Sequence, residues 1–217
     1  MPAAVRVVAI DGPAGAGKST LAEAVAAHLG VERLDSGAMY RAVAWSALRH
    51  GVDPADTEAV ARLARAIHIE AAEEVIVDGE DATDAIRSAE VDAAVSAVAA
   101  NPEVRAELVA RQRAWVAARG RGVVEGRDIG TVVLPDADLK VYLTASSETR
   151  AERRSRERAD GRSVDDVHRA LVRRDRLDST RPTSPLPSPE DVADDARVID
   201  STGKSARAVL EEVLACL

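Results

Sequence analysis

Apolar residues along the chain fall into short unbroken runs, separated by longer stretches where they recur every three or four positions. "VRVVAI" at 5–10, "GVVEG" at 122–126 and "LKVYLT" at 139–144 have the β-branched texture of strands buried on both faces. "ERLD" at 32–35 closes a further strand, and "ARVID" at 196–200 makes the last. Helical spacing fills Ser19 to Leu29, which stops at Gly30, and Met39 to His50, which stops at Gly51. A shorter helical stretch covers 52–66. Ala89–Ala100 and Pro102–Arg119 read as two helices parted at Asn101-Pro102, because proline suits a first helical position. Five strands alternating with helices predict an α/β fold: a parallel, doubly wound sheet with helices on both faces, three layers in all.

Two stretches depart from this rhythm. "IHIEAAEEVIVDGEDAT" at 67–83 has two short alternating runs and an Asp78-Gly79 turn, which predicts a small β-hairpin. "TRPTSPLPSPED" at 180–191 carries four prolines in twelve residues and is a loop, since a strand and helix follow it. No internal repeat is present. A chain of 217 residues then suits one domain with small insertions.

Composition narrows the class. There is no Phe and there are only two Trp and two Tyr, so Ala, Val and Leu must build the core. A net charge of -8 argues against a general binder of nucleic-acid polymers or membrane surfaces. The single cysteine, Cys216, fits a reducing compartment. The start "MPAAVRVVAIDG" lacks a cationic leader, and no apolar run approaches the roughly 18 residues of a membrane span. A soluble cytoplasmic protein is expected.

The chemistry begins between the first strand and the first helix. Gly12-Pro13-Ala14-Gly15-Ala16-Gly17-Lys18-Ser19 matches G-x-x-x-x-G-K-S/T in full, in the strand–loop–helix setting the pattern requires. Glycines let such a backbone wrap an anion closely, and the helix that follows presents its positive end. Lys18 would reach the β- and γ-phosphates of a nucleotide and the Ser19 hydroxyl would ligate Mg²⁺, with Thr20 next to it. Of 29 basic residues only Lys18, Lys140 and Lys204 are lysine, so a compact point charge stands here in a chain that otherwise uses Arg. "STGKSA" at 201–206 is the control: it also contains Gly-Lys-Ser, but Val198 stands where the first Gly belongs, so it reads as a loop and helix start.

A phosphate loop serves switches and transferases alike. The guanine-reading N/T-K-x-D pattern of GTPase switches fails at both remaining lysines, in "DLKVY" and "TGKSA". Residues 150–181 hold 11 Arg against 7 acids, a local surplus of positive charge in an acidic chain. Such a segment suits holding two anionic substrates together, although for single residues such as Arg156 a solvated helix face explains as much.

"IDGPAGAGKST", "LDSGAMYR" (34–41), "EGRDIGTVV" (125–133) and "RRDRLDSTRPTSPL" (173–186) together resemble the bacterial cytidylate kinases, in order, with similar spacing and over nearly the whole chain. The resemblance implies a P-loop nucleoside-monophosphate kinase that transfers the γ-phosphoryl of ATP to CMP or dCMP, using Mg²⁺. It implies a core of about 1–35, 120–148 and 192–217, a monophosphate-binding region of about 36–119 in which the hairpin is the insert, and an arginine-rich lid of about 149–191. Carried over by motif, Ser36 and Arg41 hold the CMP phosphate side, Arg127 meets that phosphate and Asp128 the cytosine. Ser96 and Arg105 make further base contacts, Asp178 takes the ribose, and Arg174 and Arg181 act on the phosphates during transfer. Arg150 and Arg154 of "TRAERR", one helical turn apart, approach ATP from the lid. The resemblance implies a monomer that handles free nucleotides. Shikimate kinase, a P-loop enzyme of similar size, is the alternative, but it lacks the insert and the "LDSGAMYR" and "GRDIG" strings.

Simpler roles compete at several positions. Asp35 and Ser36 could only cap a helix beginning near Ala38. Asp128 could only pair Arg127, and Asp178 could be an ordinary acid on a helix surface. Glu125 stands where related kinases often place Asp, which leaves its part in orienting Mg²⁺ open.

Overall fold

The computed structural model describes residues 5–72, 74–158 and 163–217. In chain order the elements are β1 (Val7–Asp11), α1 (Lys18–Leu29), β2 (Arg33–Asp35), α2 (Ser36–Arg49), α3 (Thr57–Ala66), β3 (Ile69–Ala71), β4 (Val75–Val77) and β5 (Glu80–Asp81). A 3₁₀ turn (Ala85–Arg87), α4 (Ala89–Ala100), α5 (Pro102–Arg119), β6 (Gly122–Gly126) and a π-type turn (Ile129–Val133) come next. β7 (Leu139–Thr144), α6 (Ser147–Arg158), α7 (Val164–Thr180), β8 (Arg197–Asp200) and α8 (Ala206–Leu214) complete the chain.

Five strands form one sheet in the order β2-β6-β1-β7-β8, with parallel registers β1–β6, β1–β7 and β7–β8. This is the doubly wound α/β architecture expected from the sequence. The chain forms two compact units, one made of the segment up to Arg33 with Gly120–Leu217, the other of Leu34–Arg119.

In the first unit, Val8, Ile10, Val123, Val141 and Leu143 pack beneath Leu21 and Val25 of α1 and Val209 and Val213 of α8. Ala9, Val124 and Tyr142 alternate with them, face the other way and are equally buried. On that side the Tyr142 hydroxyl donates to the Pro187 carbonyl at 2.7 Å, which ties down the proline-rich loop. α6 and α7 pair over a much smaller cluster of Ala151, Val167 and Leu171, with Ala14 of the glycine loop against it.

The second unit is helical, with a small sheet. α2 starts at Ser36 rather than Met39, because the Asp35 carboxylate accepts the Ala38 N–H at 3.0 Å. α3 starts at Thr57, capped by Asp56 in the same way, so the helical stretch expected over 52–66 is shorter. The expected hairpin gains a third strand: β3, β4 and β5 form an antiparallel sheet within 67–83, of which Glu73 lies outside the described residues. Asn101 ends α4 and accepts the N–H groups of Glu103 and Val104, so α5 opens where the proline indicated. Residues 1–4, part of the start read as leaderless, and 159–162 of the expected lid also lie outside the described residues.

Candidate active site

The glycine loop is shaped by backbone demands. Gly12 has φ of 145°, and a Cβ there would stand 2.0 Å from the Leu143 carbonyl oxygen, so no other residue fits. Gly15, a position the motif leaves variable, has φ of 75°, and a Cβ would come within 2.9 Å of the Arg150 carbonyl oxygen. The loop's own carbonyls are met by cations from four places in the chain. Arg127 Nη1 donates to Gly12 at 2.6 Å, Lys18 Nζ to Pro13 at 2.9 Å, Arg150 Nη1 to Ala14 at 3.2 Å and Arg153 Nη1 to Ala16 at 3.1 Å. In a trans peptide the N–H points opposite its carbonyl. With Ala14 and Ala16 turned to the α6 arginines, the N–H groups of Gly15 and Gly17 face away from α6.

Gly17 and Thr20 line a cavity of about 280 Å³, with Leu143, Arg153, Ser201 and Lys204 among its other walls. Arg153 also donates to the Ser201 hydroxyl (2.9 Å) and carbonyl (2.8 Å), and Ser201 Oγ donates to the Ala16 carbonyl at 3.1 Å. Lys204 sits at the loop before α8, as expected, and pairs with Glu212, yet it is also a wall of the cavity. Arg150 is buried, reaches the Ala145 and Ala14 carbonyls and pairs with Asp175. Arg154 pairs with Glu157, which lines the cavity. Arg153, which sequence reasoning passed over, lines the cavity together with Arg156; "RR" at 153–154 was its only signal.

Ser19 Oγ donates to Glu125 Oε2 at 2.9 Å, and Glu125 Oε1 lies 3.4 Å from Arg33 Nη1. Hydroxyl and carboxylate oxygens are the hard donors that Mg²⁺ takes, and this ion is ordinarily held by few protein groups and by substrate phosphates. The residues therefore fit the ion, and the Glu125 carboxylate lies within hydrogen-bond reach of the Ser19 hydroxyl.

Beyond β6 lies a cluster of acids and arginines. Arg127 Nε is 3.0 Å from Asp178 Oδ2, Arg174 Nε is 3.9 Å from the same oxygen, and Arg181 Nη2 is 3.8 Å from Asp128 Oδ1. Asp128 thus meets Arg181, while Arg127 takes Asp178. Asp178 is buried, not a surface acid. Asp11 holds the segment from below, accepting the Ile129 and Gly130 N–H groups at 2.7 and 2.8 Å and so completing the start of the π-type turn. Burial pushes its carboxyl up to about 6, against the pull of those two hydrogen bonds, while nearby Asp128 adds to the rise and Lys18 opposes it.

The second unit gathers the other candidates. Ser36 is buried at the start of α2, so Asp35 does the capping. Arg41 Nη1 donates to the Ile86 carbonyl at 3.2 Å, and its Nη2 lies 2.6 Å from Asp92 Oδ1. Arg105 is buried over the Tyr40 ring, 5.8 Å from its centroid. Ser96 is half-buried on α4, one turn beyond Asp92.

Comparison with known proteins now adds to this geometry. The sequence model of the family described as cytidylate kinase matches residues 8–217. The cytidylate kinase of Streptomyces griseus subsp. griseus is 50% identical over 214 residues, covering 96% of this chain and 90% of that protein. That of Mycobacterium leprae is 50% identical over 215 residues, covering 97% and 93%, and that of Corynebacterium glutamicum is 48% identical over 222 residues, covering 99% and 95%. Among solved structures, an uncharacterized protein from Eubacterium ventriosum superposes with a TM-score of 0.56 at 10% identity, covering 97% of each chain. A gluconokinase from Sinorhizobium meliloti gives 0.52 at 14% identity, covering 97% of this chain and 90% of that one. Those two likenesses show the fold alone. With half of its residues shared with these enzymes along nearly its full length, the chain belongs to the cytidylate kinase family.

Proposed function

We propose that this kinase transfers the γ-phosphoryl of ATP directly to a phosphate oxygen of CMP or dCMP, giving CDP or dCDP. The observation that carries the donor half is the glycine loop with its outer carbonyls taken by cations, beside a cavity of about 280 Å³. Gly12 to Thr20 would hold the ATP phosphates, and the cavity beyond Gly17 and Thr20 would take the rest of the donor. Ser19 would hold Mg²⁺, with Glu125 accepting a hydrogen bond from its hydroxyl. Bound there, the ion neutralises charge on the donor phosphates.

The acceptor half is assigned by motif. Arg41 and Ser36, with Arg127, would receive the CMP phosphate; Ser96, Arg105 and Asp128 the cytosine; and Asp178 the ribose. The acid–arginine pairs support this reading. When a nucleotide arrives, its phosphates can take the guanidinium groups while its amine and hydroxyls take the carboxylates, so each buried charge exchanges one partner for another. The attacking phosphate oxygen is already ionised at neutral pH, so no general base is assigned. Alignment and charge neutralisation by Lys18, Arg127, Arg174 and Arg181 would supply the rate. α6 and α7, packed over a three-residue cluster, are the segment we assign as the lid.

We place the reaction in the cytoplasm, on free nucleotides and in a monomer. Among the described residues no helix is long and apolar enough to cross a membrane. Coupled ADP release measured with CMP, dCMP, UMP and shikimate tests the proposal. CMP and dCMP should support turnover far above the others; turnover with shikimate alone would overturn it.

A further inference from the structure

Asp92 has no part in the chemistry described so far, yet its carboxylate oxygen lies 2.6 Å from the Arg41 guanidinium. Its place in the first turn of α4 suggests a simpler role, since an acid there favours the helix dipole. Glu90 already offers that from the exposed side of the same turn. Asp92 instead leans inward, its side chain 22% exposed against 12% for Arg41. The Ile86 carbonyl, in the 3₁₀ turn before α4, accepts from the other terminal nitrogen of Arg41 at 3.2 Å. One guanidinium is thus held at both ends, by a carboxylate and by backbone.

We propose that Asp92 is a positioning residue for acceptor binding: with the Ile86 carbonyl it fixes the plane and direction of the Arg41 guanidinium before the CMP phosphate arrives. This rests on the reading of Arg41 as an acceptor-phosphate ligand. An arginine side chain loses much rotameric freedom when it grips a phosphate, and a planar fork binds in only a narrow range of orientations. A guanidinium already immobilised does not lose that freedom again on binding, so affinity rises. The neighbouring negative charge works in the opposite direction, repelling a phosphate. The geometry favours orientation as the larger effect, because Asp92 and Ile86 between them engage both terminal nitrogens.

Kinetics of three variants, alongside melting curves, test this. Asp92→Ala should raise KM for CMP about tenfold, as expected for one long side chain that must be ordered on binding, with KM for ATP and kcat near wild type. Asp92→Asn keeps an oxygen acceptor of the same size and should restore KM for CMP to within about threefold of wild type. A purely structural role would lower the melting temperature and leave the two KM values in their wild-type ratio, which overturns the inference. An Asp92→Ala enzyme that binds CMP as well as or better than wild type also overturns it, since the carboxylate would then be a bystander or a competitor. Arg41→Ala separates the two levels of the argument. If it loses CMP affinity while Asp92→Ala does not, only the role of Asp92 fails; if it leaves KM for CMP unchanged, the acceptor reading of Arg41 fails and the inference with it.

Discussion

Two pairs of arginines from the same basic segment are held differently. Arg150 and Arg153, on α6, place terminal nitrogens on the Ala14 and Ala16 carbonyls of the glycine loop. Arg174, on α7, and Arg181, just after it, approach the carboxylates of Asp178 and Asp128 at 3.9 and 3.8 Å, beyond ordinary hydrogen-bond length, and Arg181 Nε also donates to the Ser184 carbonyl at 2.6 Å. Arg150 and Arg153 brace the glycine loop from one helix, a contact that Lys18 and Arg127 also make at Pro13 and Gly12. A carboxylate and a guanidinium can each change partner when a nucleotide arrives. Sequence composition treats these residues alike; contact with the glycine loop is what sets the first pair apart.

A further cation, Lys18, crosses the loop to Pro13, and its proposed role lies in the transfer itself. Lys18→Ala should lower kcat about a thousandfold, the upper range for removing one charge-stabilising donor, while the melting temperature stays near wild type. Near wild-type CMP phosphorylation by this variant would remove the donor assignment altogether.

Next in size are Arg174 and Arg181. Arg174→Ala or Arg181→Ala should each lower kcat about a hundredfold and move KM for CMP far less, if the charge they neutralise develops during transfer. Variants that keep kcat and lose only affinity for ATP or CMP would make them ground-state binders.

Arg150→Ala should show the reverse profile. It leaves the Asp175 carboxylate, one-fifth exposed, without its arginine and the Ala14 carbonyl without a donor. A stability loss of about 2 kcal/mol is expected in urea denaturation, with kcat reduced less than by Arg174→Ala. If Arg150→Ala instead lost kcat at full stability, the division between the two pairs would collapse.

How much of this was legible beforehand depended on whether the cause was local. α4, α5, β6 and β7 were readable to the residue because their signals lie in adjacent positions: a proline after Asn101, and runs of β-branched residues. The glycine loop was readable because backbone sterics admit little else, although the motif gives no hint that Gly15 is pressed against Arg150. The turn at Ile129–Val133 was not readable. Its opening N–H groups are satisfied by Asp11, more than a hundred residues away. The same holds for the arginines of α6, where a helical wheel cannot say that position 153 faces the cavity and position 150 the back of the loop. Asp92 looked like any acid in a first helical turn, and only the packing of α4 against α2 brings it to Arg41.

The smallest effect tests the acid that faces Arg181. Cytosine presents an N4 amine beside the N3 acceptor, whereas uracil presents a carbonyl oxygen beside an N3–H. An ionised carboxylate only accepts, so Asp128 can take the N4–H of cytosine but would confront the O4 lone pairs of uracil. Arg105 only donates, which suits the O2 and N3 of cytosine and opposes the N3–H of uracil. Asp128 is 5% exposed, so a mismatch there is not relieved by water. One good pair of this kind is worth about 1–3 kcal/mol. Asp128→Ala should therefore lower the CMP-to-UMP ratio of kcat/KM about tenfold, chiefly through loss of CMP activity. Part of that loss can come from Arg181, whose guanidinium approaches the same carboxylate. The ratio separates the two causes, because a misplaced Arg181 would slow both nucleotides equally while a lost base contact penalises CMP alone. Asn is a poorer probe, since its amide can turn to offer a donor or an acceptor. A fall in both rates at constant ratio would reduce Asp128 to an anchor for Arg181 and move base reading to Ser96 and Arg105.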